Sequence, residues 1–187
     1  MRASPLASLL LAAALCAGPA RAARFERVDL PNAPGAGIKL SGVIMPGDET
    51  RFREVSEGMA NAVVLTTGPG GSVGAAIAIG TDIRNRGWTT LVPAGASCAS
   101  ACSMIWLAGA RRLLADGGWI GFHAMSIHRD GVSIETHAPD VNLREWLSQL
   151  GYTEDTTATI VNTPAALVRW LDRAELQANG IASDPYP

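Results

Sequence analysis

The strongest constraint on this chain is a recurring order: a short apolar run of strand length, then a helix-length segment, then another such run. Ala62-Val63-Val64-Leu65-Thr66 is rich in β-branched residues and reads as a buried strand. Gly68-Pro69-Gly70-Gly71 breaks it. Ser72 then opens a helix to about Arg86, with Val73, Ile77 and Ile83 among its apolar positions and Gly87 as its stop. Trp88 to Pro93 is the next strand. A small-residue stretch follows Gly95, then an apolar helix from Ser100 to about Ala108. Arg111 to Ala115 and Trp119 to Phe122 are strands around the turn Asp116-Gly117-Gly118. Strands that alternate with helices require right-handed crossovers, and so a largely parallel sheet flanked by helices: an α/β fold.

The flanks carry weaker signals. Residues 23–36 are rich in Pro and Gly and are expected to pack loosely. Ile38 to Met45 fits a strand, and Pro46-Gly47-Asp48 a turn whose Asp48 caps a helix to about Ala60. The polar stretch 124–139 reads as a hairpin, a lid or an assembly arm. Asp140 is a candidate N-cap for an amphipathic helix over Val141 to Leu150, and Asp172 to Asn179 forms a short helix ended by Gly180.

The 187 residues suit one domain with a real core. Hydrophobic residues make up 48% and charged residues 17%, which excludes a disordered chain. The net charge of −2, without a basic run, argues against nucleic acid as a partner. At the N-terminus, Arg2, the apolar run Leu6 to Ala17 and Ala20-Arg21-Ala22 have the pattern of a secretory signal peptide spanning residues 1–22. Cleavage after Ala22 removes Arg2 and Arg21 and no acid, taking the charge from −2 to −4. The domain is then 23–187. No other apolar run is long enough to span a membrane, so no stable span is expected after cleavage. The expected location is the periplasm of a bacterium, where Cys98 and Cys102 meet oxidising conditions.

Three features carry chemistry. The Gly68–Gly71 turn can aim backbone N–H groups into a cleft, for a developing oxyanion or for a phosphate. No P-loop lysine and no Gly-x-Gly-x-x-Gly spacing supports the phosphate, and a plain tight turn is the simpler alternative. Ser100 lies at the start of a buried helix between Cys98-Ala99 and Ala101-Cys102, as a nucleophile or as an ordinary N-cap. His123 ends the strand Trp119 to Phe122 and is the natural base for such a serine, or an ordinary histidine. His128 and His137 read as surface residues. The histidine spacings of five and nine fit no zinc pattern, so no metal and no cofactor is expected.

Taken in order, these residues resemble the Clp protease proteolytic subunit within the ClpP/crotonase superfamily, from about Ile38 to Ile181. The resemblance rests on Gly68-Pro69-Gly70-Gly71, on Ala96-Ser97-Cys98-Ala99-Ser100, on Ala108-Gly109-Ala110 and on the strand ending in His123. It implies a spiral of stacked β-α-β units. Ser100 would attack a peptide carbonyl, His123 would shuttle the proton, and the amides of Gly71 and Ala101 would form the oxyanion hole. It also implies a homo-oligomer, with residues 124–150 as the oligomerisation arm, and a peptide or unfolded protein as substrate.

The chain departs from that pattern in three ways. The family's third triad member is an aspartate, and its place falls on Val168, while Asp172 matches a helix cap. A Ser–His dyad follows, with Asn162, Thr163 or Asp155 as candidate supports for the ring. Export separates the chain from a cytoplasmic ATPase, which points to unassisted cleavage of small peptides. Cys98 and Cys102 flank Ser100 at i, i+4 spacing, about 6 Å apart by helix geometry and within disulfide reach. They read either as a disulfide stapling the nucleophile turn or as small buried fillers. The competing functions are an inactive peptide-binding oligomer and an acyl-CoA enzyme of the crotonase branch, the latter disfavoured by export and by the Ser/His placement.

Overall fold

The β-branched run at 62–66 is the centre of the sheet. A computed structural model describes residues 22–30, 36–129, 132–135 and 140–186. The proposed signal segment up to residue 21 and His137 lie outside the described residues, as does the side chain of His128. In chain order the elements are β1 (Arg24–Val28), β2 (Ala36–Ile44), α1 (Asp48–Val55), β3 (Ala62–Gly71), α2 (Val73–Asn85) and β4 (Thr89–Val92). There follow β5 (Ser97–Ala99), α3 (Ala101–Leu107), β6 (Arg111–Ala115), β7 (Trp119–Phe122), β8 (Ser126–Arg129) and β9 (Val132–Glu135). The chain ends with α4 (Asp140–Gln149), α5 (Glu154–Val161), β10 (Arg169–Leu171), α6 (Arg173–Ala178) and β11 (Asp184–Tyr186).

Nine strands form one curled sheet, and β8–β9 form a separate antiparallel hairpin. The pairs β2–β3, β3–β4, β4–β6, β3–β5 and β5–β7 are all parallel. Strand β3 is long enough to serve two groups of neighbours. Its first half pairs with β4, and Gly68 further along pairs with Cys98 of β5. Splitting partners along one strand bends the sheet and leaves the far end of β3 beside β5 and the start of α3. The main core lies between sheet and helices, with Trp88, Trp106, Phe52 and Phe122 as its largest fully buried side chains. Trp106 is tied in place by its indole N–H to the Leu113 carbonyl (3.0 Å) and by its own carbonyl to the Thr90 hydroxyl (2.7 Å).

Several sequence expectations need correction. Part of 23–36 does not pack loosely: Arg24–Val28 forms β1, antiparallel to β2, and Ala23 is fully buried. The glycines at 68–71 do not end the strand, which continues through them. Gly68 and Gly71 are needed because the backbone of β2 is too close for a Cβ: one on Gly68 would sit 2.5 Å from the Gly42 carbonyl oxygen. Helix α1 stops at Val55, and its N-cap is Gly47 at φ 95°; Asp48 is the first helical residue, its carboxylate accepting from the Met45 N–H at 2.8 Å.

The stretch 124–150 is of two kinds. Its first part is the β8–β9 hairpin, whose cross-strand pair Ile127 and Ile134 is exposed. Helix α4, by contrast, is docked on the body. Leu143, Trp146 and Leu147 are buried, and the Trp146 indole N–H donates to the Thr81 hydroxyl at 3.1 Å. Tyr152 follows α4; its hydroxyl donates to the Leu107 carbonyl at 2.9 Å, and burial pushes its pKa up to about 12.

Asp172 is a helix cap. Its carboxylate accepts from the Glu175 N–H, and the Glu175 carboxylate accepts from the Asp172 N–H, both at 2.9 Å. Replacing it with Ala is expected to cost about 1 kcal/mol. Urea unfolding would read that cost as a lower midpoint. An unchanged midpoint would show that the cap contributes nothing to stability.

Candidate active site

Ser100 sits where the chain changes from strand β5 to helix α3, and it makes that change alone. Its φ is 56° and ψ −127°, and it is the one non-glycine residue with positive φ among the described residues. Such a conformation costs on the order of 1–3 kcal/mol and persists only where surrounding contacts impose it. Those contacts are visible. The Ser100 N–H donates to the Gly121 carbonyl at 2.9 Å. The Ser103 hydroxyl lies 2.8 Å from both the Cys98 and the Gly121 carbonyl oxygens, with one proton to give to either. Cys98 and Cys102 are joined in a disulfide across the turn, with both side chains buried.

The N-cap explanation for Ser100 fits its position but not its side chain. Ser72 and Thr153 cap α2 and α5 by accepting from the N–H three residues on. Ser100 occupies the N-cap of α3 and makes no such bond. Its half-buried hydroxyl faces a pocket of about 180 Å³ lined by Pro69, Gly71, Met104, His123, Leu143 and Ile160, among others. Larger concavities exist elsewhere. One, of about 560 Å³, lies between the Asp116–Trp119 turn and α6, but it brings no nucleophile beside a base.

Among the described residues His123 is the only titratable side chain lining the Ser100 pocket. It follows β7, which lies parallel to β5, so the sheet itself carries serine and histidine to the same end. The ring's Nδ1 lies 2.7 Å from the Ala124 carbonyl oxygen. A carbonyl only accepts, so Nδ1 carries a proton, and in the neutral ring Nε2 then has the lone pair. This is the tautomer a base needs, selected by backbone rather than by a carboxylate. The Ala124 N–H donates in turn to the Thr163 carbonyl at 2.6 Å, fastening this peptide to the loop after α5.

None of the side chains expected to support the ring, Asn162, Thr163 and Asp155, lines the pocket. The Asn162 amide oxygen accepts from Arg144 at 3.0 Å, and Asp155 lies in the first turn of α5. Val168 lines a different groove with Lys39, Pro93 and Trp170. Lys39 is the only lysine in the chain, so no lysine is available at Ser100.

Gly71 is in the pocket wall, at φ 135°. Ala101 begins α3, whose first helical bond runs from the Met104 N–H to the Ser100 carbonyl at 3.3 Å. The amides of Ala101, Cys102 and Ser103 therefore have no acceptor within the helix. Gly70 is pressed against the turn: a Cβ there would lie 2.6 Å from Ser100 Cβ and 2.9 Å from the Ala101 nitrogen. The arrangement is a nucleophile, a base in the right tautomer and nearby backbone donors, which suits acyl transfer. Among the described residues, no group of His, Cys, Asp and Glu side chains could hold a metal.

Sequence reasoning missed two contributors. The Ala124 carbonyl is backbone and leaves no sequence signal. Ser103 did leave one, as a hydroxyl inside the otherwise apolar run Ala101 to Leu107, and it proves fully buried.

This is the ClpP-like serine peptidase fold. Solved structures that share it include a serine-to-alanine mutant of the 1510-N membrane-bound stomatin-specific protease, with TM-score 0.64 and 20% identity over 79% of this chain and 77% of that one. A lysine-to-alanine mutant of the same protease, in complex with a substrate peptide, gives TM-score 0.63 and 21% identity over 79% and 73% of the two chains. ClpP1 from Listeria monocytogenes gives TM-score 0.60 and 15% identity over 80% and 90%. No family model and no curated protein sequence matches the chain.

Proposed function

We propose that this chain is an exported serine peptidase that cleaves peptide bonds through an acyl-enzyme on Ser100. The observation that carries the reading is the pairing in one pocket of a serine hydroxyl unused by its helix and a histidine whose Nδ1 proton is committed to a carbonyl. Ser100 Oγ attacks the peptide carbonyl carbon while Nε2 of His123 takes the hydroxyl proton. The Gly71 and Ala101 amides receive the negative oxygen. The imidazolium gives its proton to the departing amine, and water repeats the sequence to release the acid. The apolar wall of Met104, Met125, Leu143 and Ile160 favours an apolar substrate side chain beside the scissile bond.

A fluorophosphonate probe tests this directly. Wild type is expected to be labelled on Ser100 and Ser100→Ala to be unlabelled; equal labelling of both would reject the peptidase. A second reading, a peptide-binding protein with little or no turnover, is favoured by one observation: the acceptor facing Nδ1 is neutral, so the imidazolium formed in the reaction lacks a carboxylate beside it. That reading predicts peptide binding without labelling.

Self-association belongs to the same proposal. Trp119 and Trp170 are 43% and 42% exposed beside β10, which pairs only with β7 and leaves a sheet edge open among the described strands. Sedimentation of the full chain measures the assembly directly. Export is supported by the leader pattern of residues 1–22 and by the disulfide, which suits an oxidising compartment. Cell fractionation with N-terminal sequencing should find the mature protein in the periplasm, starting at Ala23.

A further inference from the structure

The cysteine pair is unused in the chemistry above, yet it brackets the nucleophile. Cys98 is the middle residue of β5 and is fixed on both sides, with Gly68 of β3 and Ile120 of β7 as its register partners. Cys102 is the second residue of α3. The two Cα atoms are 5.3 Å apart. Extended backbone would carry residue 102 about 13 Å from residue 98. The bond therefore excludes extended forms of 98–102 and keeps those that turn back at once. Ser100 makes that turn, at φ 56°. One other contact spans the turn, from the Ser103 hydroxyl to the Cys98 carbonyl, and it shares its single proton with the Gly121 carbonyl.

We propose that the Cys98–Cys102 disulfide is a positioning element that holds the positive-φ turn at Ser100, so that the site is competent only in chain folded under oxidising conditions. Its effect on rate rests on the peptidase reading, whereas its effect on the backbone does not. The bond forms by thiol–disulfide exchange with a small disulfide such as oxidised glutathione. One cysteine thiolate displaces a donor thiol, the second displaces the other, and the two cysteine protons end on the two released thiols. Both sulfurs are buried, so exchange occurs as the chain folds, and reductant added to the folded protein does not reach the bond.

The test uses three preparations of the full chain: wild type refolded with oxidised glutathione, wild type refolded with reductant, and Cys98→Ala/Cys102→Ala. Amide exchange is followed by NMR at Ser100, with Ile79 of α2 as internal reference. In both unbonded forms the Ser100 amide should exchange at least about tenfold faster than in the oxidised protein, with Ile79 unchanged. Fluorophosphonate labelling should slow at least about tenfold, with the KM for a peptide within about twofold. Equal protection of Ser100 in a folded, unbonded chain would overturn the proposal, as would an undiminished labelling rate. If the unbonded forms do not fold, the bond serves the fold rather than the turn, which also overturns it. If oxidised wild type is not labelled at all, the peptidase reading fails, and amide exchange alone decides the positioning role.

Discussion

Replacing His123 with Ala is expected to lower kcat/KM for a peptide by at least about 10³-fold, or about 4 kcal/mol of transition-state stabilisation. Among the described residues the ring is the only titratable side chain lining the pocket, so none of them can take over as base. Folding should be little affected, because His123 is half-buried and its one recorded hydrogen bond is to the neighbouring carbonyl. Asp155→Asn serves as the control. That carboxylate lies at the start of α5 and is not in the pocket, so kcat/KM should stay within about threefold of wild type, as expected for a residue outside the chemistry. Loss of activity in Asp155→Asn comparable to that in His123→Ala would show that a carboxylate, not the Ala124 carbonyl, orients the ring. The carbonyl has a definite consequence. Serine enzymes that lose the orienting carboxylate fall by roughly 10⁴-fold because the imidazole adopts the wrong tautomer. Here the carbonyl selects the productive tautomer, and only the charge is missing. Turnover should therefore lie below that of a full triad and above that of a mis-tautomerised one.

Gly70→Ala should damage both the site and the fold. The added methyl would meet Ser100 Cβ at 2.6 Å, the Ala99 carbonyl oxygen at 2.8 Å and the Ala101 nitrogen at 2.9 Å, on a backbone at φ 103°. Two of these neighbours are backbone atoms of the nucleophile turn and cannot swing away as a flexible side chain would. Strain and overpacking together are expected to cost roughly 2–5 kcal/mol, read as a lowered unfolding midpoint. The displacement falls on the serine and on one oxyanion donor together, so the labelling rate of the folded fraction should drop at least about 10²-fold. Gly74→Ala is the contrast. It lies in the first turn of α2 with nothing within 4 Å of a new Cβ, and it should stabilise by about 0.4–1 kcal/mol. If Gly70→Ala melted and labelled like wild type, the close approach of β3 to the Ser100 turn would be wrong.

The legibility of this fold follows the physics of each element. The strand cores at 62–66, 88–93, 111–115 and 119–122 were readable because each buries a run of apolar residues. Strands β5, β10 and β11 have three residues each, too few for any periodicity, and they exist because a neighbour supplies the ladder. The sequence Gly68-Pro69-Gly70-Gly71 has the pattern of a breaker because glycine and proline have low strand propensity. The structure makes it strand because β2 supplies the ladder, with Gly42 and Ile44 approaching Gly68 and Gly71 too closely for a side chain there. The helix cap at Asp172 was legible because a capping box is local, with Glu175 three residues on.

The sequence alone determined the strand–helix order, the residue types Ser100 and His123 placed after strands that become neighbours, and two cysteines close enough to join. These are local or ordered along the chain, and hydrophobic pattern and spacing record them. Only the tertiary structure decided that the Ser100 hydroxyl is spared from capping and that a peptide carbonyl rather than an acid faces the imidazole. The same holds for β2, which leaves no room for side chains at Gly68 and Gly71. Each of these depends on backbone atoms from segments distant in sequence, and backbone atoms are the same in every residue, so no pattern of side chains announces where they will meet.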